Sequence, residues 1–318
     1  MEKFVYNMQT IEKFSSCKTE KIDILFLAAS SSMRAYECVK FFEHMNYPIE
    51  KVVILCFDRS MPDKSDKDYE EYMKYSLINI NKTIIDCQGE EIDLTGISLD
   101  SSKRIAVDIT GLSIPDLFRL FFILKEVNDI NEIQTFYTEP KYYNFKQGMF
   151  DVYEYLQEER KYRAIDEYFT SGTDGKEILA IFLGFDRLTS TIVKEEVNPY
   201  ETIILNGFPS VSPKLKEISL LNNYELILSL GDPDIYNVKA HNPFSAYNAL
   251  EDIRKKHTNE LINICVLGSK PMALGACLYA LDNKENIKVS YAYPKKYGKR
   301  ITEGYGKTWH YEIAFQKK

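Results

Sequence analysis

The sequence contains no C-x-x-C pair, no G-x-G-x-x-G turn and no G-x-x-x-x-G-K-[ST] loop. It also has no apolar run near the roughly 18 residues that a bilayer span needs. Each absence excludes something. Six cysteines (Cys17, Cys38, Cys56, Cys87, Cys265 and Cys277) are scattered along the chain. Neither a disulfide framework nor a zinc site is expected from such spacing. The four histidines, His44, His241, His257 and His310, are equally dispersed, so no metal site is expected. Without a dinucleotide fingerprint, no cofactor is expected. The formal net charge is -7, which leaves no global basic surface for nucleic acid, although a local basic pocket stays open. The first twenty residues are polar and lack an apolar core. The expectation is therefore no secretory signal, no membrane anchor and a reduced, cytoplasmic protein.

What is present is an ordinary globular composition, 45% apolar and 27% charged over 318 residues. That is long for one domain and natural for two of about 100–200 residues. The chain also repeats itself. "KIDILFLAASSSMRAYECVKFF" (Lys21–Phe42) and "KEILAIFLGFDRLTSTIVKEE" (Lys176–Glu196) are each an apolar strand, a polar turn and a helix. Glu50–Lys64 matches Tyr200–Lys214, Lys103–Glu126 matches Leu261–Asn283, and Ile133–Tyr143 matches Ile287–Tyr297. The order recurs at a spacing of about 154 residues, which suits a duplicated domain. Apolar strands alternating with helices predict βαβ units and sheets covered on both faces.

The predicted fold is α/β: two tandem Rossmann-like domains with mostly parallel sheets, related by internal duplication. The expected division is 1–150, a helical connector 151–175, and 176–318. Ile24–Ala28 should correspond to Ile178–Phe182, and Ile105–Asp108 to Ile264–Leu267.

Ligands of open parallel sheets bind beyond the carboxyl ends of the strands. In "LGSKPMALGA" (Leu267–Ala276) a strand gives way to a helix at Gly268, Ser269 and Lys270, with Pro271 in the first turn. Free N–H groups and the helix dipole favour an anion there, Ser269 can cap or donate, and Lys270 adds charge. A capped helix with a solvated lysine is the alternative. "AASSSMR" (Ala28–Arg34) offers Ser31, Ser32 and Arg34 at the first strand. "DITG" offers Asp108, Thr110 and Gly111; Asp108 could hold a ribose hydroxyl, act as a base or cap a turn. Asp108, Glu139 and Asp186 are the candidates for acid–base work. Arg187 and Lys307 could supply phosphate charge, and the glycine-rich stretch around Lys307 and Trp309 could be a flap or a tight hairpin.

The paired halves, "DITGLSIP" and "LGSKPMALGA" resemble the CRISPR-associated Rossmann-fold (CARF) superfamily. In that family a strand ends in a Thr-Gly-Gly-Thr-Lys-Pro-type turn before a small-residue helix. This chain keeps Gly268, Lys270 and Pro271, has Ser269 in place of Thr, and lacks the doubled glycine; Thr110-Gly111 keeps Thr-Gly without the lysine. The resemblance implies a nucleotide-binding sensor or regulatory component of prokaryotic antiviral defence, holding an anionic ligand between its halves. Two alternatives stay open: a hydrolase or transferase acting on a nucleotide or nucleic acid, and a non-catalytic scaffold subunit. A protein partner or homo-oligomer is compatible with each.

Overall fold

The computed structural model describes residues 4–16, 21–58, 61–62, 64, 68–89, 91–143, 161–169, 175–186, 188–210, 212, 214–231, 233–293 and 302–315. The chain divides into two compact units. One takes Met1–Tyr143 with Arg300–Lys318; the other takes Asn144–Lys299.

The first unit opens with β1 (Phe4–Thr10) and α1 (Ile11–Ser16). β2 (Ile22–Ala28), α2 (Glu37–His44), β3 (Ile49–Phe57), α3 (Asp68–Tyr72), β4 (Lys82–Cys87), β5 (Ile105–Asp108), α4 (Ile114–Phe122), β6 (Glu132–Thr138) and the short β7 (Tyr142–Tyr143) follow. The second unit runs through β8 (Lys161–Phe169), β9 (Glu177–Phe182), α5 (Thr189–Val197), β10 (Glu201–Gly207), α6 (Lys214–Asn222), α7 (Tyr224–Ser229) and β11 (Ile235–Val238). It continues with α8 (Pro243–Lys256), β12 (Leu261–Val266), α9 (Lys270–Asp282) and β13 (Ile287–Tyr293). β14 (Thr302–Glu303) and β15 (Thr308–Phe315) return to the first unit.

The two sheets share one plan. The first is ordered β1-β15-β6-β5-β2-β3-β4 and the second β11-β10-β9-β12-β13-β8. In chain order, each parallel core reads third, second, first, fourth, fifth. β15 then lies antiparallel to β6, and β8 antiparallel to β13. This is the doubly wound α/β arrangement, and its repetition matches the duplication expected from the sequence. The strands are buried because both faces are covered: Leu25, Phe26, Val53, Ile54, Ala106 and Val107 are fully enclosed, as are Leu179, Ala180, Ile204, Ile262 and Ile264.

Three expectations need correction. The division 1–150 and 176–318 fails because β15 pairs with β1 and β6, so the last residues complete the first sheet. The 151–175 connector is not helical where it is described: Lys161–Phe169 is a strand, with Ile165 and Tyr168 buried and polar neighbours between them. Its charge suits an edge strand. Finally, Leu27 pairs with Asp108 and Ile181 with Cys265, so the counterpart of Ile105–Asp108 is Ile262–Cys265, two residues earlier than expected. A strand apolar on both faces has no alternation to fix its register.

Candidate functional site

In both units the first and fourth strands lie side by side, and their connections leave in opposite directions. Ligands of doubly wound sheets bind at this switch in strand order. At each switch a glycine lets two backbones meet. A Cβ on Gly111 would lie 2.5 Å from the Ala28 carbonyl oxygen, and one on Gly184 would lie 2.1 Å from that of Leu267. Gly111 therefore works through close approach of the β5 exit to the β2 exit.

Asp108 ends β5 and is 1% exposed. The Thr110 amide donates to its Oδ1 at 2.8 Å, while its Oδ2 is buried and accepts no hydrogen bond among the described residues. Burial drives its pKa up to about 7, against the pull of Thr110 and the Arg34 guanidinium. The Cys38 thiol on α2, itself pushed upward by burial, also feels this carboxyl.

Arg34 comes from the loop after β2. Its Nη1 donates to the Thr138 carbonyl at 2.7 Å and its Nη2 to Thr302 Oγ1 at 3.4 Å. Its Nε is buried and has no partner among the described residues. The guanidinium also acts on the hydroxyls of Tyr137 and Tyr143, opposing the rise that burial gives them. Ser31 and Ser32 are half-buried on the same loop; the Ser32 amide donates to Ser30 Oγ at 3.1 Å, and the Ser32 hydroxyl does not cap the following turn.

Three threonines tie the strand ends together. The Thr138 amide donates to Thr110 Oγ1 at 2.9 Å, and the Thr138 and Thr308 hydroxyls lie 2.9 Å apart. Glu139 follows. Its amide donates to the Lys307 carbonyl at 2.9 Å, and its carbonyl accepts from Gly306 at 2.7 Å, so the late glycine-rich stretch is held by its backbone against the end of β6. The Glu139 carboxyl is buried; desolvation raises its pKa while Trp309 and Lys307 favour the charged form. Lys307 is exposed and lies over the Trp309 ring, 5.7 Å from its centroid.

Among its described residues the second unit has no such pair. Counted from the equivalent strand exits, where Ala29 donates to Leu55 and Leu183 to Leu205, the position of Arg34 is held by Leu188. The position of Asp108 is held by Cys265, a buried thiol. Asp186, expected as an acid or base, is a cap: it accepts from the Leu188 amide at 3.2 Å, the Thr189 amide at 3.4 Å and the Thr189 hydroxyl. Arg187 lies outside the described residues. Ser269 caps α9, accepting from the Met272 amide at 3.4 Å, and donates to the Ala240 carbonyl. Its hydroxyl is thus committed to structure. Gly268 admits the Met272 side chain, since a Cβ there would lie 2.7 Å from Met272 Cε. Lys270 begins α9 and is half-buried.

The structure thus brings Arg34, Asp108, Thr110, Gly111, Glu139 and Lys307 to one sheet edge, and places Asp186, Gly268, Ser269 and Lys270 in the other unit. Sequence reading missed Thr138 and Thr302. Threonine is an ordinary strand residue, and nothing local marks these two. Among the described residues no three His, Cys, Asp or Glu gather as metal ligands, and no helix is long and apolar enough to cross a membrane.

No family model and no curated protein matches the chain. Among solved structures, the cytoplasmic domain of a prokaryotic cation chloride cotransporter aligns at 9% identity with a TM-score of 0.25, covering 86% of this chain and 96% of that one. An adenylation, ketoreductase and pseudo Asub multidomain structure of a keto acid-selecting NRPS module aligns at 9% identity with a TM-score of 0.21, covering 83% and 28%. Likenesses this distant say nothing about the site.

Proposed function

We propose that this chain binds an anionic nucleotide at the carboxyl edge of its first sheet, as a sensor or regulatory component of prokaryotic antiviral defence. One observation carries the binding reading. At the switch in strand order, a buried guanidinium N–H of Arg34 and a buried carboxylate oxygen of Asp108 both lack partners among the described residues. A buried polar atom left unpaired costs on the order of 1–3 kcal/mol, so a ligand that pairs it gains that much. A phosphate oxygen accepts from a guanidinium, and a sugar hydroxyl donates to a carboxylate. A nucleotide carries both groups. The defence role rests on the resemblance of "DITGLSIP" and "LGSKPMALGA" to the CARF superfamily.

A second reading has its own observation. With a pKa of about 7, Asp108 exchanges its proton near neutrality, as a general acid or base of a nucleotide hydrolase or transferase must.

Melting the protein against a panel of mono-, di- and cyclic oligonucleotides, then analysing each mixture for products, separates the readings. A nucleotide that raises the melting temperature and is recovered intact supports binding. Turnover with a pH midpoint near 7 favours the enzyme. A panel that shifts nothing leaves a scaffold.

A further inference from the structure

We infer that the two repeats have reciprocally exchanged their sixth strands, so that the candidate site of the first unit is completed by the tail of the second repeat. Each repeat supplies five parallel strands in the same order. In each, the chain leaves the fifth strand through a similar stretch, "TEPKYY" after Phe136-Tyr137 and "AYPKKY" after Tyr291, and ends in an antiparallel strand. After β6 that strand is β8; after β13 it is β15. Neither pairs with the strand it follows. β8 lies on β13, with Tyr291 opposite Arg163, and β15 lies on β6, with Ala314 opposite Glu132.

The orientation excludes the plain alternative, that β8 is an added leading strand like β1. β1 is antiparallel to β15, which is antiparallel to β6, so β1 runs parallel to the core. β8 runs against its core, as β15 does. By position and direction, β8 is the counterpart of β15.

The exchange is unequal in its consequences. β8 closes an edge, whereas β15 is hydrogen-bonded on both sides, between β1 and β6. It buries His310, Tyr311 and Ile313 in the first unit. It also delivers Thr308 to Thr138, and Lys307 and Trp309 to Glu139. The first unit is built from two separate stretches of chain, and its carboxyl edge depends on residues from the far end of the second repeat.

Cysteine pairs test this without any ligand. A variant carrying Glu132→Cys, Ala314→Cys, Arg163→Cys and Tyr291→Cys is oxidised, denatured, digested without reduction and mapped by mass spectrometry. Directly opposed strand residues lie within disulfide reach. Links 132–314 and 163–291 are expected. Links from 132 to 163 and from 291 to 314, or free thiols at all four positions, would overturn the exchange. Each pair is also made alone, so that misfolding of the fourfold variant leaves the question answerable. The outcome is independent of nucleotide binding: either claim can fail while the other stands.

Discussion

At the scale of single residues, two buried titratable groups pull stability in opposite directions with pH. Asp108 has a folded pKa of about 7, above its unfolded value, so its contribution is fully present in acid and is lost as pH rises to about 7. The loss is on the order of 2–4 kcal/mol. In Asp108→Asn the stability curve should lose this fall between about pH 4 and 7, as read by urea unfolding at several pH values; an unchanged slope would show that the carboxyl is ionised at no cost. His310 does the reverse. Its ring lies among Phe14 and Phe136, Nε2 meets Gln134 and Nδ1 meets Gln9, an arrangement that the neutral Nε2–H tautomer satisfies. Burial lowers its pKa to about 3, so stability present above about pH 6.5 is lost as pH falls through that range. The His310 ring carbon shift in NMR should stay constant from pH 8 to 4 in the folded protein; titration near 6.5 would place the ring in water. Asp108 and Arg34 were legible as a polar turn after an apolar run. The role of His310 was not, because its partners lie in β1 and β6, far away in sequence.

At the scale of elements, α9 shows what a short sequence can and cannot reveal. Ser269, Pro271 and the small residues mark a capped helix that packs closely, and the structure bears out the cap. The partner of the close approach was hidden. Gly275 faces α8 rather than the sheet, and a Cβ there would lie 1.9 Å from the Pro243 carbonyl oxygen. Gly275→Ala should therefore destabilise by about 1–3 kcal/mol despite the better helix propensity of alanine. Chemical denaturation checks it, and a stabilised variant would mean that α8 and α9 part easily. Ser269→Ala should cost about 1 kcal/mol through the lost cap. The β-strand at Lys161–Phe169 was misread as helix because a short charged stretch with scattered aromatics fits either period. Only its pairing with β13 decides it.

At the scale of the molecule, the duplicated plan was legible because strand–turn–helix units recur in order, while the strand exchange was not, because a pairing partner leaves no local mark. The exchange implies that damage in β15 is felt in the first unit. Tyr311 is fully buried, and Tyr311→Ala should raise hydrogen exchange in β5 and β6 while β12 keeps its protection; the opposite pattern would assign β15 to the second unit. The proposed ligand site lies in the first unit, at Arg34 and Asp108. Calorimetric titration of the best-stabilising nucleotide into wild type, Arg34→Leu and Lys270→Ala tests it most directly, with each variant's melting curve as the check on folding. Arg34→Leu places at this position the residue type that the second unit carries. We expect it to weaken binding by roughly 10- to 100-fold, the worth of a hydrogen bond to a charged group. Lys270→Ala should bind as wild type does. Undiminished binding by a folded Arg34→Leu protein, with the loss falling on Lys270→Ala instead, would contradict the account and move the site to the turn that opens α9.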